Sequence, residues 1–371
     1  MKVQRYGRLS ALLAAGTLAL TGCGADEPAA APAPSGSSSS SGGAELSGTL
    51  NGGGASSQES AMEAWRGGFT EANADATVNY DPAGSSAGRE QFLSGGLAFA
   101  GSDAALDEEE LAMGKERCTG GDAIDLPLYI SPVAVIYNLE GVDELTLSAP
   151  VIADIFNQKI VKWNDPAIAA LNEGVTLPDL DITPVNRQDG SGTTENFTDY
   201  LAQAGEGKWP YEADGDFPVQ GGEAATGTSG VVAAVEGGDG TIGYADFSRA
   251  GDLGVAKILV GTEGVAPSAE GAAKAVDIAE RTAGRPEGDL AVELPRTTTD
   301  PTAYPITLVA YSIVCTAYPD AAQGELVKSF FTYVAGEEGQ AAAAENAGSS
   351  PISEELRTEV LTTIEGITAG T

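Results

Sequence analysis

Four short segments of the chain combine glycine with hydroxyl side chains, and each follows a stretch with the pattern of a β-strand. They are residues 52–57, 84–88, 101–103 and 189–193. Glycine lets a backbone approach a ligand closely, and the first N–H groups of a following helix have no partner inside that helix. These N–H groups, the helix dipole and the hydroxyls favour an anion. One such loop is usually only a turn, but four of them in one chain indicate an anion-binding site.

Composition excludes several kinds of chemistry. The 371 residues contain no histidine, which excludes Ser-His-Asp and Cys-His catalysis and every histidine-ligated metal site. The formal net charge is −35, and such an acidic surface repels nucleic acid. An anion must therefore be held by local dipoles rather than by an overall positive field. Glu108, Glu109 and Glu110 have the pattern of a solvated helix start, so we expect neither a metal nor a cofactor.

The N-terminus has the pattern of a targeting segment. Lys2, Arg5 and Arg8 precede an apolar run over residues 9–20, which is too short to span a membrane as a helix. The ending Leu20-Thr21-Gly22-Cys23 resembles the bacterial lipobox, in which cleavage leaves a lipid-modified cysteine. We expect residues 1–22 to be a lipoprotein signal peptide, Cys23 to carry the lipid, and residues 23–45, rich in Ala, Pro, Ser and Gly, to be a flexible tether. An ordinary signal peptide with an incidental cysteine is the alternative.

Two cysteines remain after Cys23. An even number of cysteines in an oxidising compartment favours a disulfide, here between Cys118 and Cys315. Two separately buried thiols are the alternative, because the sequence alone does not bring the two residues together.

From residue 46 onward, short apolar strands alternate with helical patterns, which predicts an α/β fold with a largely parallel sheet. Helix patterns include one with Met62, Trp65 and Phe69 on a single face. Two strongly apolar strands, residues 132–138 and 306–314, are far apart in sequence and are candidates for crossovers between two lobes. The length of the chain also favours two lobes or one large α/β unit.

Six segments of the chain together resemble those of a known family, the periplasmic phosphate-binding proteins of bacterial ABC transporters. The similarity covers roughly residues 46–371 and lies in the order and spacing of residues 52–57, 80–88, 99–103, 187–193, Trp163-Asn164-Asp165-Pro166 and Ile242-Gly243-Tyr244. The lipobox, the tether and the acidity indicate a Gram-positive, actinobacterial version.

The resemblance implies a set of phosphate ligands in this chain. They are Ser56, the backbone of Ser57, Ser85, Asp103, Arg187, Ser191, Gly192 and Thr193. The family often has Thr-Phe where this chain has Ser56-Ser57. Ser86 competes with Ser85 as hydroxyl donor, and Ser57 competes with Ser56. The loop 227–230 either approaches the cleft or is an ordinary helix cap.

The chemistry of the charged residues agrees with that set. The planar guanidinium of Arg187 matches two phosphate oxygens, and Asp189 is placed to hold it. A surface ion pair is the alternative. Asp103 would accept a hydrogen bond from a protonated phosphate, whereas sulfate has no proton to donate, so Asp103 would select phosphate. The alternative for Asp103 is a cap on the following turn.

The resemblance implies a two-lobed type II periplasmic-binding-protein fold with the ligand in the cleft between the lobes. We expect one lobe from residues 46–134 and 308–371, and the other from residues 135–307. The expected function is capture of phosphate outside the cell membrane by a lipid-anchored monomer and its delivery to a membrane permease. Alternatives are a receptor for another oxyanion and an exported hydrolase, although the latter would lack the usual histidine base.

Overall fold

The alternating apolar segments fold as alternating strands and helices. This computed structural model describes residues 46–370, which belong to one compact unit. The predicted signal peptide (residues 1–22), the tether (residues 23–45) and Cys23 lie outside the described residues. Within residues 46–370, no helix is both long and apolar enough to cross a lipid bilayer.

The helices of the described region surround its sheets. They are α1 (Glu59–Ala72), α2 (Ser85–Leu93), α3 (Glu108–Arg117), α4 (Ala149–Phe156), α5 (Pro166–Ala169), α6 (Gly192–Ala204), α7 (Gly227–Gly237), α8 (Ala269–Asp277), α9 (Ala321–Ala335), α10 (Glu337–Ala347) and α11 (Glu354–Glu365), with a 3₁₀ helix at Phe247–Arg249.

The strands form one large sheet and three small ones. They are β1 (Gly48–Gly54), β2 (Ala76–Asp81), β3 (Phe99–Ser102), β4 (Ala123–Asn138), β5 (Thr146–Leu147), β6 (Thr183–Arg187), β7 (Glu223–Ala225), β8 (Thr241–Asp246), β9 (Gly254–Val255), β10 (Lys257–Val260), β11 (Glu263–Val265), β12 (Glu280–Arg281), β13 (Val292–Glu293), β14 (Thr307–Cys315), β15 (Ala317–Tyr318) and β16 (Thr368–Ala369).

The large sheet consists of two parallel groups joined by two antiparallel strands. Its order is β2-β1-β3-β14-β4-β8-β6-β7, with β9 also paired to β4. Pairing is parallel within β2-β1-β3 and within β8-β6-β7. The antiparallel pairs all involve β14 or β4, the two long apolar strands. Each parallel group carries its own helices, and this is the predicted two-lobed α/β fold.

Strand β4 is one of the two strands that join the parallel groups. Its residues from Ala123 to Pro132 pair with β14, and those from Val133 to Asn138 pair with β8. The predicted crossover strands are therefore neighbours, and β4 changes partner one residue into the segment 132–138. The lobe boundaries after residue 134 and before residue 308 stay predictions.

The amphipathic patterns account for how the helices pack. In α1, Met62, Trp65 and Phe69 are buried, as their spacing predicts. In α6, Phe197 and Tyr200 are buried, and the Phe197 ring stacks on Tyr244 of β8 with ring centroids 4.3 Å apart. This packing fixes α6 against the second parallel group, so the N-terminus of α6 is held firmly at the end of the sheet.

A disulfide joins Cys118, just after α3, to Cys315 at the end of β14. The two Cα atoms are 5.3 Å apart, and both residues are fully buried. The predicted disulfide is confirmed. It links positions 197 residues apart and ties α3 to a central strand of the sheet.

Candidate functional site

The predicted loops lie at the ends of the strands β1, β2, β3 and β6. Ser56 and Ser57 separate β1 from α1, Ser85 is the first residue of α2, and Asp103 directly follows β3. Arg187 ends β6. Ser191, Gly192 and Thr193 then form the N-cap and first turn of α6. Because parallel strands of one group end at the same edge, each group presents its loops together.

Asp103 joins loops from both parallel groups. It is 3% exposed, its Oδ1 accepts a hydrogen bond from the Ser57 hydroxyl at 2.6 Å, and its Oδ2 accepts one from the Thr193 hydroxyl at 2.7 Å. Its backbone N–H donates to Ser85 Oγ at 3.2 Å. The following helix α3 is capped by Asp107 instead. The carboxylate of Asp103 is therefore an acceptor within the cluster and not a cap.

Burial dominates the electrostatics of Asp103. Removal from water raises the pKa of its carboxyl above the usual value, although the Ser57 and Thr193 hydroxyls and the charge of Arg187 act in the opposite direction. Each carboxylate oxygen has two lone pairs, so both oxygens retain capacity for one more donor. A buried acceptor of this kind suits a ligand that brings its own proton.

Arg187 and Asp189 form a nearly buried ion pair. The Arg187 side chain is 2% exposed, its Nε donates to Asp189 Oδ1 at 2.8 Å, and its Nη2 donates to Asp189 Oδ2. Asp189 Oδ1 also accepts from the Gly227 N–H at 2.9 Å. Burial alone would raise the pKa of Asp189, but the hydrogen bonds and charge of Arg187 outweigh it, so that pKa is lowered. Within residues 46–370, Arg187 Nη1 has no protein acceptor.

The two serines after β1 differ in what they contact. Ser57 uses its hydroxyl on Asp103, whereas Ser56 Oγ lies 3.0 Å from Thr228 Oγ1 and accepts from the Thr228 N–H at 3.1 Å. Thr228 belongs to the loop 227–230, whose position the sequence left open. In the structure residues 227–230 form the first turn of α7, which contacts Ser56 through Thr228 and Asp189 through Gly227, so the segment joins the cluster.

Four helices begin at this cluster: α1, α2, α6 and α7. The N-cap residues of α1 and α2, Gln58 and Gly84, make no side-chain capping hydrogen bond. At α6, Ser191 Oγ accepts from the Thr194 N–H at 3.3 Å. Helix N-termini carry partial positive charge and unpaired N–H groups. The cluster is therefore locally attractive to an anion although the whole chain is acidic.

Two glycines permit the close approach of these loops. A Cβ atom at Gly192 would lie 2.8 Å from Asp103 Cβ and 2.8 Å from Ser85 Oγ. At Gly84, where φ is +104°, a Cβ atom would lie 2.8 Å from Asp189 Oδ2. Any side chain at either position would push apart the loops that the two parallel groups contribute.

The predicted phosphate ligands, with Asp189, lie in or directly beside this cluster. Sequence reasoning missed Asn196 and assigned no role to Tyr244, which also belong to it. Tyr244 accepts from the Arg187 N–H at 3.3 Å and lies 2.7 Å from Thr194 Oγ1, and Asn196 donates to the Asp103 carbonyl at 2.6 Å. Asn196 is one of several polar residues in the amphipathic helix α6, and no motif singles it out. No group of His, Cys, Asp or Glu in residues 46–370 has the arrangement of a metal site.

The chain is similar to known proteins along its whole length. It matches the family model of the PBP superfamily domain over residues 39–338. It is 37% identical to phosphate-binding protein PstS 3 of Mycobacterium leprae, over 99% of this chain and 100% of that protein. It is 38% identical to phosphate-binding protein PstS 2 of Mycobacterium tuberculosis, over 89% of this chain and 90% of that protein.

Solved structures share the fold. A high affinity periplasmic phosphate-binding protein bound with phosphate aligns with a TM-score of 0.69 and 24% identity, covering 85% of this chain and 93% of that one. A phosphate binding protein from Stenotrophomonas maltophilia aligns with a TM-score of 0.63 and 23% identity, covering 85% and 94%. At these identities, the structural likeness shows that the chain shares the fold of these proteins.

Proposed function

The chain belongs to the PstS family of bacterial phosphate-binding proteins, and from this premise we propose that it captures inorganic phosphate with high affinity and delivers it to an ABC-transporter permease. The observation that carries the proposal is the buried cluster around Asp103 and Arg187. One guanidinium, the carboxylates of Asp103 and Asp189, and several hydroxyls converge there with four helix N-termini.

The proposed ligands are uncharged donors with a single cation and a single acceptor. They are Ser56, the backbone of Ser57, Ser85, Asp103, Arg187, Ser191, Gly192 and Thr193. Arg187, held by Asp189, would give a planar fork to two phosphate oxygens, and the N-termini of α1, α2 and α6 would add N–H donors. Because the donors are local and fixed, they act at short range despite the net charge of −35.

Asp103 would set the choice of anion. Phosphate at neutral pH carries a proton, and its P–OH group would donate to a carboxylate oxygen of Asp103. Sulfate lacks this proton, so it would place its negative charge against a buried acceptor. Buried groups left unpaired in this way produce strong discrimination. The second candidate, a receptor for another oxyanion, is disfavoured by the same residue.

The proposal describes a binding protein and not an enzyme. The relatives with phosphate-binding names are binding proteins, and the chain has no histidine to act as a base for Ser85 or Ser191. We also propose that residues 1–22 direct export, that Cys23 anchors the chain to the outer face of the cell membrane, and that the two lobes close on phosphate by bending near β4 and β14.

Calorimetric titration tests the proposal directly. The protein is first stripped of phosphate, then titrated separately with phosphate, sulfate and molybdate, and assayed for release of phosphate from aryl phosphate esters. Tight phosphate binding, weak sulfate binding and no ester turnover are expected. A preference for sulfate or molybdate would show that this anion, and not phosphate, is the ligand. Hydrolysis of the aryl phosphate esters would contradict a pure binding role.

A further inference from the structure

Asn196 connects the two sides of the phosphate cluster without belonging to the proposed ligands. It lies one turn into α6 and is 7% exposed. Its Nδ2 donates to the Asp103 carbonyl at 2.6 Å and to the Gly192 carbonyl at 2.9 Å. Asp103 follows β3 in one parallel group, whereas α6 belongs to the other. The hydrogen bond from Asn196 to the Asp103 carbonyl therefore connects the two parallel groups directly.

Arg296 pairs with the oxygen of the Asn196 amide. Its Nη2 donates to Asn196 Oδ1 at 2.5 Å. A guanidinium has only donors, so the amide oxygen must face Arg296 and the amide nitrogen must face the two carbonyls. The two carbonyls only accept hydrogen bonds, so they require the same orientation as Arg296 does.

Arg296 is itself fixed on three sides. The residue is 4% exposed, its Nε donates to Asp199 Oδ2 at 2.8 Å, and its Nη1 donates to the Thr307 carbonyl at 2.7 Å. Asn196 and Asp199 are three residues apart on α6, and Thr307 is the first residue of β14. The guanidinium thus clamps α6 to the strand that returns the chain to the first parallel group. A lysine has no planar fork with which to make these contacts together.

We propose that Asn196 is a positioning residue that retains the bound anion: oriented by Arg296, it holds the Asp103 loop against the N-terminus of α6. The inference rests on the proposed phosphate site, because Asp103, Gly192 and Thr193 are the groups it positions. Phosphate enclosed between Asp103 and α6 leaves only when these separate, and separation breaks the Asn196–Asp103 hydrogen bond. Asn196 therefore acts on the rate of phosphate release.

The substitution Asn196→Asp tests this with minimal change in shape. A carboxylate at residue 196 still pairs with Arg296, but it presents an acceptor to two carbonyl oxygens where the amide presents a donor. We expect phosphate dissociation to become about tenfold to a hundredfold faster. The association rate should change by less than about threefold, because encounter occurs before the cleft closes. Stopped-flow release of labelled phosphate into excess unlabelled phosphate measures the dissociation rate.

Asn172 provides a matched control. It is also 7% exposed, and its Nδ2 also donates to two carbonyls, those of Thr146 and Ile168, at 2.9 Å. Thr146 lies in β5, Ile168 in α5 and Asn172 just after α5, so these hydrogen bonds involve none of the proposed phosphate ligands. Asn172→Asp should lower thermal stability as much as Asn196→Asp does, or more, and leave the phosphate dissociation rate within about twofold of the wild-type rate.

The outcomes are separable. A wild-type chain that binds no phosphate contradicts the proposed function. A wild-type chain that binds phosphate, with Asn196→Asp releasing it at the wild-type rate, overturns the role of Asn196. Equal acceleration by Asn172→Asp shows a merely structural effect and overturns it too.

Asn196 lines a cavity of about 430 Å³ with Asp103 and Arg296, which gives the new carboxylate access to water. If Asn196→Asp still does not fold, Asn196→Ser replaces it, with the same expected acceleration and the same contradicting result.

Discussion

Thr193 Oγ1 lies 2.7 Å from Asp103 Oδ2, and this hydrogen bond joins residues 90 positions apart in the chain. The Ser57 hydroxyl meets the other carboxylate oxygen at 2.6 Å. Asp103 therefore accepts hydrogen bonds from both parallel groups of the sheet, one from the start of α1 and one from the start of α6. Any ligand enclosed in this cluster must therefore be compatible with the buried Asp103 carboxylate, which accepts hydrogen bonds.

Replacing Arg187 with lysine should weaken phosphate binding by about tenfold to a thousandfold. Lysine keeps the charge, but it loses the planar fork that both Asp189 and a phosphate would engage. Calorimetry gives the affinity. The control is Arg281→Lys, which alters an ion pair with Glu359 whose two side chains are each 44% exposed, and it should leave affinity unchanged. Equal affinity of Arg187→Lys and the wild type would remove Arg187 from the ligand set.

Gly192→Ala should reduce phosphate affinity by at least about tenfold. The added methyl would lie 2.8 Å from Asp103 Cβ and from Ser85 Oγ, so the two sides of the site must move apart. Gly67→Ala is the control, because Gly67 is exposed on α1 and a Cβ there meets nothing within 4 Å. That control should stabilise the protein by about 0.5–1 kcal/mol and leave affinity unchanged. Wild-type affinity in Gly192→Ala would contradict the close approach.

Removing the disulfide should cost stability and spare binding. The bond between Cys118 and Cys315 links positions 197 residues apart, and its loss should lower the free energy of unfolding by about 5 kcal/mol in the chain-entropy account. Guanidinium unfolding of Cys118→Ala/Cys315→Ala against the oxidised wild type measures this. Phosphate affinity at 25 °C should stay within about threefold. An unchanged unfolding midpoint would show that the bond contributes nothing to stability.

Glu195 should make stability depend on pH. Burial raises its pKa from the ordinary 4.5 to about 7, with nearby Arg89 opposing and Glu110 reinforcing the shift. Between those values the folded protein holds a proton that the unfolded chain has lost, so the free energy of unfolding falls as pH rises. One third of the side chain is exposed, which reduces the effect.

Urea unfolding of phosphate-free Glu195→Gln across pH 4 to 8 tests that sign. The variant should show a flatter profile than the wild type and should be the more stable of the two above pH 7. A wild-type slope retained in Glu195→Gln would assign the pH dependence to other groups, such as Asp246, whose pKa burial raises to about 6.

Local patterns predicted the loops because glycine, hydroxyl residues and helix starts are local features. The contact between Ser56 and Thr228, 172 residues apart, was not predictable from them, because Ser56 follows β1 in one parallel group and Thr228 precedes β8 in the other, and β14 and β4 join the two groups. Asn196 was missed for a related reason. Its partners at Asp103 and Arg296 lie about a hundred residues away on either side, so an isolated asparagine gives no sign of being buried.

Strand β4 shows the same limit for the fold. The sequence predicted a strand over residues 132–138, but β4 begins at Ala123. Asp125 and Pro127 interrupt the apolar pattern and hide the earlier part. In the structure Asp125 is buried against Arg285 and hydrogen-bonded by the Leu106 N–H, and Pro127 pairs with Tyr311 at a bulge, where a missing N–H is tolerated. Contacts with residues distant in sequence thus allow Asp125 and Pro127 to lie within a strand, although local sequence rules disfavour them there.

The phosphate-to-sulfate affinity ratio of the wild type and of Asp103→Asn tests the central claim most directly. Asparagine offers a donor where Asp103 offers only acceptors, so it should weaken phosphate binding and relieve the repulsion of sulfate. Calorimetry should show a ratio of at least about 10³ for the wild type and a ratio at least about tenfold smaller for the variant. Identical ratios in the two proteins would contradict selection of a protonated anion by Asp103.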